Sequence, residues 1–192
     1  MALATFAELG YQGTSVRDLC RRLGVSHNLI HQRFGSKDQL WYAAVDHGFG
    51  TLAARLAEAV NDIDHTDDLA RLRAVLVRFV EVTAASPALM RVINQEGVTP
   101  SARLDHIYAC YVEPAMDVLR TVLDRLASKG AIRPVPIAVF YFLVANGATG
   151  PLTLPGLAEC FPDSPAARQP ADLRLYAESV VDLLLGGMGA GS

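Results

Sequence analysis

The stretch GYQGTSVRDLCRRLGVSHNLIHQRFGSKDQLWYAAV, residues 10–45, decides how the chain is read. Ser15 stands three residues before Asp18, the spacing of a capping box, in which each side chain takes a free backbone N–H at a helix start. That box opens a helix to Leu23, and Gly24 can stop it in a left-handed conformation. Ser26 caps a short helix ending near Phe34. Ser36 caps the next, with Gln39 in the reciprocal position and Leu40, Trp41, Ala44 and Val45 behind it. Two short helices therefore meet at Gly24-Val25-Ser26. A tight helix–turn–helix needs a small residue at the crossing, a glycine at the turn and a buried aliphatic after it. Cys20, Gly24 and Val25 meet those needs in order, and Leu19, Leu23, Ile30 and Phe34 form the interior face. The second helix is left with a polar face of His27, Asn28, His31 and Gln32, and a helix of this kind fits the major groove of B-DNA.

The rest of the chain is also helical by periodicity. Leu3, Phe6 and Ala7 close an amphipathic helix before Gly10. Beyond residue 60, Thr66-Asp67-Asp68 starts a helix with negative charge at its positive end, and the stripe Leu69, Leu72, Leu76, Phe79, Val80, Thr83 runs on until Pro87. A short helix to Gly97 and a long one over 102–129 follow, the latter kinked or split by Pro114 and closed by Gly130. A nearly all-apolar helix covers 136–146. Residues 148–170, with five prolines and two glycines, read as a loop. Residues 172–186 form the last helix. The fold class expected is all-α, with an N-terminal three-helix domain at 1–47 and a helical domain at 48–192.

Composition narrows the function. The 192 residues are 51% hydrophobic and 19% charged, which supports a core without disulfides or metal and excludes disorder as the main state. The longest apolar stretch, Val135–Ala145, is shorter than the roughly 18 residues of a membrane span. The N-terminus shows no secretory signal. Cys20, Cys110 and Cys160 are odd in number and fit neither a zinc spacing nor a disulfide framework, so a reduced, cytoplasmic protein without membrane partner is expected. The net charge of −3 divides unevenly: residues 1–47 hold five Lys/Arg against four Asp/Glu, with three histidines besides. An anionic partner is to be sought there.

Residues 10–45 resemble the DNA-binding domain of TetR-family transcriptional regulators. The pattern is carried by Phe6, Gly10-Tyr11, Ser15–Leu19, Gly24–Ser26, Phe34 and Ser36-Lys37. The family usually has Tyr at the position of His31 and His or Tyr at that of Arg33. Its first helix also begins earlier, with basic residues, so this chain starts inside it and phosphate contacts from that arm are not expected. The resemblance implies that His27, Asn28, His31 and Gln32 face base edges. The amides of Asn28 and Gln32 suit bidentate pairing with adenine. Arg33 and Lys37 would sit on phosphates, with Ser15 and Arg17 on a second one; such contacts set register, whereas base contacts set sequence. The resemblance further implies a dimer through the last two helices, and a cavity for a small apolar effector. Phe79, Met90, Tyr108, Tyr111 and Phe142 are candidates to line it, and the polar groups Asn94, Gln95, Glu96 and Asn146 to orient the ligand. The function implied is that of a ligand-responsive repressor of a double-stranded DNA operator.

Blander readings stand beside these. His27 and His31 have the i, i+4 spacing of metal ligands, but a zincin motif needs Glu at the position of Asn28; no metal or cofactor is expected. Arg17, Arg21 and Arg22 also read as a solvated face. The aromatics are at helical spacing, where plain core is the commoner fate. A rival function is a small helical carrier or enzyme without DNA binding. Against an enzyme, the sequence offers no evident nucleophile–base pair, metal spacing or Gly-rich phosphate loop. A second rival is a DNA-binding regulator that answers to a protein partner.

Overall fold

The computed structural model describes residues 1–61, 63–64, 66–162 and 170–189, and among them every regular element is helical, as expected. In chain order these are α1 (Ala2–Gly13), α2 (Val16–Leu23), α3 (His27–Phe34), α4 (Lys37–Glu58), α5 (Asp68–Ala85) and α6 (Ala88–Glu96). Then come α7 (Ala102–Ile107), α8 (Glu113–Ser128), α9 (Ile137–Phe142), α10 (Gly150–Thr153), α11 (Pro155–Ala158) and α12 (Pro170–Gly187). Among the described residues no helix is long and apolar enough to cross a membrane.

One expectation is refined and two need correction. The helix over 102–129 breaks through a π-helical stretch, Tyr108–Val112, that precedes Pro114. Proline has no N–H for the carbonyl four residues back, and its ring crowds that carbonyl; the wider winding over 108–112 meets this constraint, and Pro114 then sits in the first turn of α8. The apolar helix at 136–146 stops at Phe142 and continues as a π-helix over Leu143–Ala148. The proline-rich segment is not all loop. Pro151 and Pro155 each lie at the start of a single turn, α10 and α11, where a missing N–H costs nothing; residues 163–169 lie outside the described residues.

The chain forms two compact units. Unit 1 comprises residues 1–51 and 88–111, and unit 2 residues 52–87 and 112–192. In unit 1, α6 packs along α1, around a core that includes Phe6, Leu19, Trp41, Val45, Val92 and Ile107. Gly48 explains itself here. A Cβ at that position would meet Leu3 Cδ2 at 3.0 Å and Leu89 Cδ1 at 3.2 Å, so the absence of a side chain lets α4 approach its neighbours closely.

In unit 2, α5 packs against α12 and α8, with Leu72, Leu76, Val80, Phe140, Val181 and Leu185 at the centre. Arg73 of α5 donates to Asp182 of α12 at 3.0 and 2.8 Å. Asp68, buried at the start of α5, accepts from Arg125 at 3.1 and 2.8 Å and from Lys129 at 3.4 Å. The Arg125 guanidinium, outweighing the opposing effect of burial, holds the Asp68 carboxyl down at about 2.

Candidate nucleic-acid interface

The turn-and-helix geometry follows from its caps. Ser15 Oγ accepts from the Asp18 backbone N–H at 3.1 Å, and Asp18 Oδ2 accepts from the Ser15 N–H at 3.3 Å and from its hydroxyl at 2.5 Å. These bonds from Ser15, and then the Arg21 charge, lower the Asp18 carboxyl below its ordinary range. Gly24 ends α2 at φ +67°, in the left-handed region glycine favours, and its N–H bonds the Cys20 carbonyl. Ser26 then caps α3 by accepting from Leu29 N–H at 3.2 Å, and Ser36 accepts from Gln39 N–H at 3.2 Å at the head of α4. Leu19 and Ile30, both buried, join α2 to α3 from inside.

This inner anchoring leaves His27, Asn28, His31, Gln32 and Arg33 exposed on the outside of α3. The His31 ring is oriented. Its Nδ1 lies 2.9 Å from the Gly35 carbonyl, so Nδ1 carries the proton in the neutral ring and Nε2 is an outward acceptor. Leu29 shares the exposed side at 42% accessibility. An apolar side chain carries no polar signal in the sequence, yet it can read a thymine methyl.

The cations sort themselves. Arg21 pairs with Asp18 at 2.9 Å, and Arg22 makes a two-pronged pair with Glu8, so both are neutralised within the chain. Arg17 and Arg33 are exposed and have no ion-pair partner among the described residues. Lys37 is half-buried, and its Nζ donates to the carbonyls of Tyr11 at 3.0 Å and Thr14 at 2.9 Å. An ammonium has three N–H groups, so one stays available for an anion. Lys37 also lies 4.0 Å from the centre of the Tyr11 ring, and the Arg103 guanidinium 3.8 Å from it. Burial, and a hydrogen bond to Asp38, push the Tyr11 hydroxyl up to about 12. Arg103 in turn bonds both oxygens of buried Glu96 at 3.0 Å. Gln95 donates to the Ala7 carbonyl at 2.8 Å. The Glu96 carboxylate and the Gln95 amide nitrogen, read as ligand-orienting groups, thus make bonds within unit 1.

The expected effector residues divide between the units. Met90, Asn94, Tyr108 and Tyr111 belong to unit 1; Phe79, Phe142 and Asn146 belong to unit 2. Met90 is core, whereas Asn94, Tyr108, Phe142 and Asn146 are exposed and Phe79 is half-buried. Tyr111 stacks on Phe49 with ring centres 4.1 Å apart and donates to Asp46 at 2.7 Å. Burial first, and Asp46 second, raise its hydroxyl well above the ordinary range. A groove of about 370 Å³ does exist in unit 2, lined among others by Val139, Leu143, Val180, Leu183 and Leu184, and by none of the seven expected residues.

The capped α2–turn–α3 with its solvent-facing polar helix is a helix–turn–helix, and the regular elements among the described residues are all helical. Residues 1–44 match the family described as "Bacterial regulatory proteins, tetR family". The HTH-type transcriptional repressor Rv3405c of Mycobacterium tuberculosis is 48% identical over 60 residues, 30% of this chain and 31% of that protein. The matched stretch thus spans about a third of the length of that curated relative. The fold resembles the TetR-family regulator PfmR from Thermus thermophilus (TM-score 0.70, 22% identity, 96% of this chain and 91% of that one). It also resembles AibR, whose structure was solved in complex with isovaleryl coenzyme A and operator DNA (TM-score 0.69, 19% identity, 97% and 93%). The N-terminal 44 residues thus match the tetR family by sequence, and the rest of the chain resembles the solved regulators in fold.

Proposed function

We propose that this chain is a ligand-responsive, homodimeric transcriptional repressor of the cytoplasm, and not an enzyme. Residues 1–47 bind operator DNA, and residues 48–192 dimerise and take a small apolar effector. The observation that carries the reading is the outer side of α3: five exposed polar residues follow a turn fixed by two caps and a left-handed glycine. His27, Asn28, His31 and Gln32 read base edges. Arg17, Arg33 and the third N–H of Lys37 contact phosphate, with Ser15 at the head of α2. Leu29 adds an apolar contact.

Exposed apolar side chains on the last helices support a second copy. Val139 (49%), Phe142 (59%), Leu143 (50%) and Leu183 (78%) lie on α9, the π-helix after it and α12. A two-fold dimer is the commonest way to bury such a patch. Effector binding shifts the dimer to a state of lower operator affinity, as linkage requires of a ligand that favours that state. Phe79, Met90, Asn94, Tyr108, Tyr111, Phe142 and Asn146 stay the candidates for the effector. Likeness to AibR, a fold neighbour solved with an acyl-coenzyme A and operator DNA, supports a ligand and an operator together. The test is enrichment of bound fragments from random DNA, repeated with metabolites added: the reading requires one enriched sequence and at least one compound that releases it. Enrichment of no sequence contradicts it.

A further inference from the structure

One cluster of reactive side chains in unit 1 has no part in the α3 surface. Asp46 of α4, His106 of α7 and Cys110 of the π-helical stretch stand in line. His106 Nε2 donates to Asp46 Oδ1 at 2.7 Å. That bond fixes the tautomer of the neutral ring, with the free lone pair on Nδ1. Cys110 Sγ lies 3.7 Å from Nδ1, so its S–H points to a base. The base is held on other sides too. Tyr111 donates to the same Asp46 oxygen at 2.7 Å, and the Tyr42 ring packs edge-on to the imidazole with centres 4.8 Å apart. His106 is 26% exposed, whereas Cys110 is open to solvent: the base is sheltered and the nucleophile accessible. His106 and Cys110 stand only four residues apart in sequence, but Asp46, 60 residues from His106, meets the ring only in the fold. Among the described residues no such group is arranged to hold a metal ion.

We propose that Cys110 is a covalent modification site for small α,β-unsaturated carbonyl compounds, with His106 as its general base and Asp46 as the residue that positions the ring. The thiol's S–H proton passes to Nδ1 as sulfur bonds to the β-carbon. The C=C electron pair moves to the α-carbon, which takes the proton back from the imidazolium. The net reaction adds S–H across the double bond, with no oxidant and no leaving group. An acceptor of this class uses both halves of the proton shuttle, the base in the attack and the acid in its completion.

The test uses the full-length protein and acrylamide at pH 7, with adduct formation at each cysteine followed by peptide mass spectrometry. Cys160 is the internal reference: it is exposed, and among the described residues its Sγ meets the Gly156 carbonyl, at 3.6 Å, and no imidazole. Cys110 should react about tenfold faster than Cys160, below the usual gain from general catalysis because 3.7 Å is a long contact. His106→Gln should bring the ratio near one while half-buried Cys20 stays protected. Should Cys20 label, showing a disturbed fold, Asp46→Asn takes its place, and the ratio should fall severalfold. Equal rates in the wild type overturn the proposal, as does an unchanged ratio in whichever variant keeps Cys20 protected.

Discussion

Replacing Lys37 by methionine separates its internal role from any contact with DNA. The change keeps the side chain's length and apolar stem but removes two hydrogen bonds to the Tyr11 and Thr14 carbonyls, at 3.0 and 2.9 Å, and a cation 4.0 Å from the Tyr11 ring. A hydrogen bond from a charged donor contributes about 1.5–3 kcal/mol. The Tyr11 carbonyl still receives the Thr14 N–H at 3.3 Å, so only the Thr14 carbonyl is left without its donor. The side chain is half-buried, and the effects overlap. We therefore expect a loss of about 2–3 kcal/mol, below the summed range of about 3–6 kcal/mol for two such bonds. With a urea slope of about 2 kcal/mol/M, the unfolding midpoint falls by about 1–1.5 M. Arg33→Ala, which removes an exposed cation with no ion-pair partner among the described residues, should stay within about 0.5 kcal/mol of wild type. A Lys37→Met midpoint equal to that of Arg33→Ala would refute the strut, and with it the way α4 is fixed to the end of α1.

Four further outcomes are expected. Asn28→Ala should weaken operator binding by about 1–3 kcal/mol and relax preference at one or two base pairs, whereas Arg33→Ala should weaken all sequences alike and lower the salt slope by roughly one per reading head, both measured by titration against salt. Leu183→Glu should give a folded monomer in sedimentation while Val181→Glu unfolds the protomer, because Leu183 is 78% exposed and Val181 only 2%; a dimeric Leu183→Glu would remove this patch from the interface. The Asp68 carboxyl is held at about 2, below its unfolded value of about 3.9, so its contribution to stability is complete above about pH 4 and is lost as pH falls towards 2. Asp68→Asn should abolish that part of the acid transition in pH-dependent denaturation. Gly24→Ala should cost about 1–2 kcal/mol in thermal unfolding, since φ +67° is unfavourable for a residue with a Cβ.

What the sequence made legible was local. Ser15, Ser26 and Ser36 announce three helix starts, and Gly24 a helix end, because caps and left-handed turns are decided by neighbours within four residues. The helix–turn–helix and its exposed side chains follow from that alone. What stayed hidden depends on contacts far apart in the chain. Lys37 reads as a phosphate ligand at a helix start, and only the fold brings Nζ to the carbonyls that close α1. Arg21 and Arg22 read like Arg17, until Asp18 and Glu8 are seen beside them. Glu96 reads as a surface or ligand-orienting residue, yet is buried against Arg103. Pro114 signals a break in the long helix but not its π-helical form. The effector candidates follow from residue type along helical stripes, which says nothing of the unit to which each belongs.

The most direct test of the central claim is recovery of DNA from a random pool by the wild type and by an Asn28→Ala/Gln32→Ala double variant, whose substitutions lie on exposed positions and should leave the fold intact. The account predicts that the wild type enriches a near-palindromic site, with half-sites roughly one helical turn or a multiple of it apart, and that the double variant, equally folded, loses this preference while keeping weak salt-dependent binding. Enrichment of the same site by both proteins would show that α3 does not read the sequence, and would contradict the account.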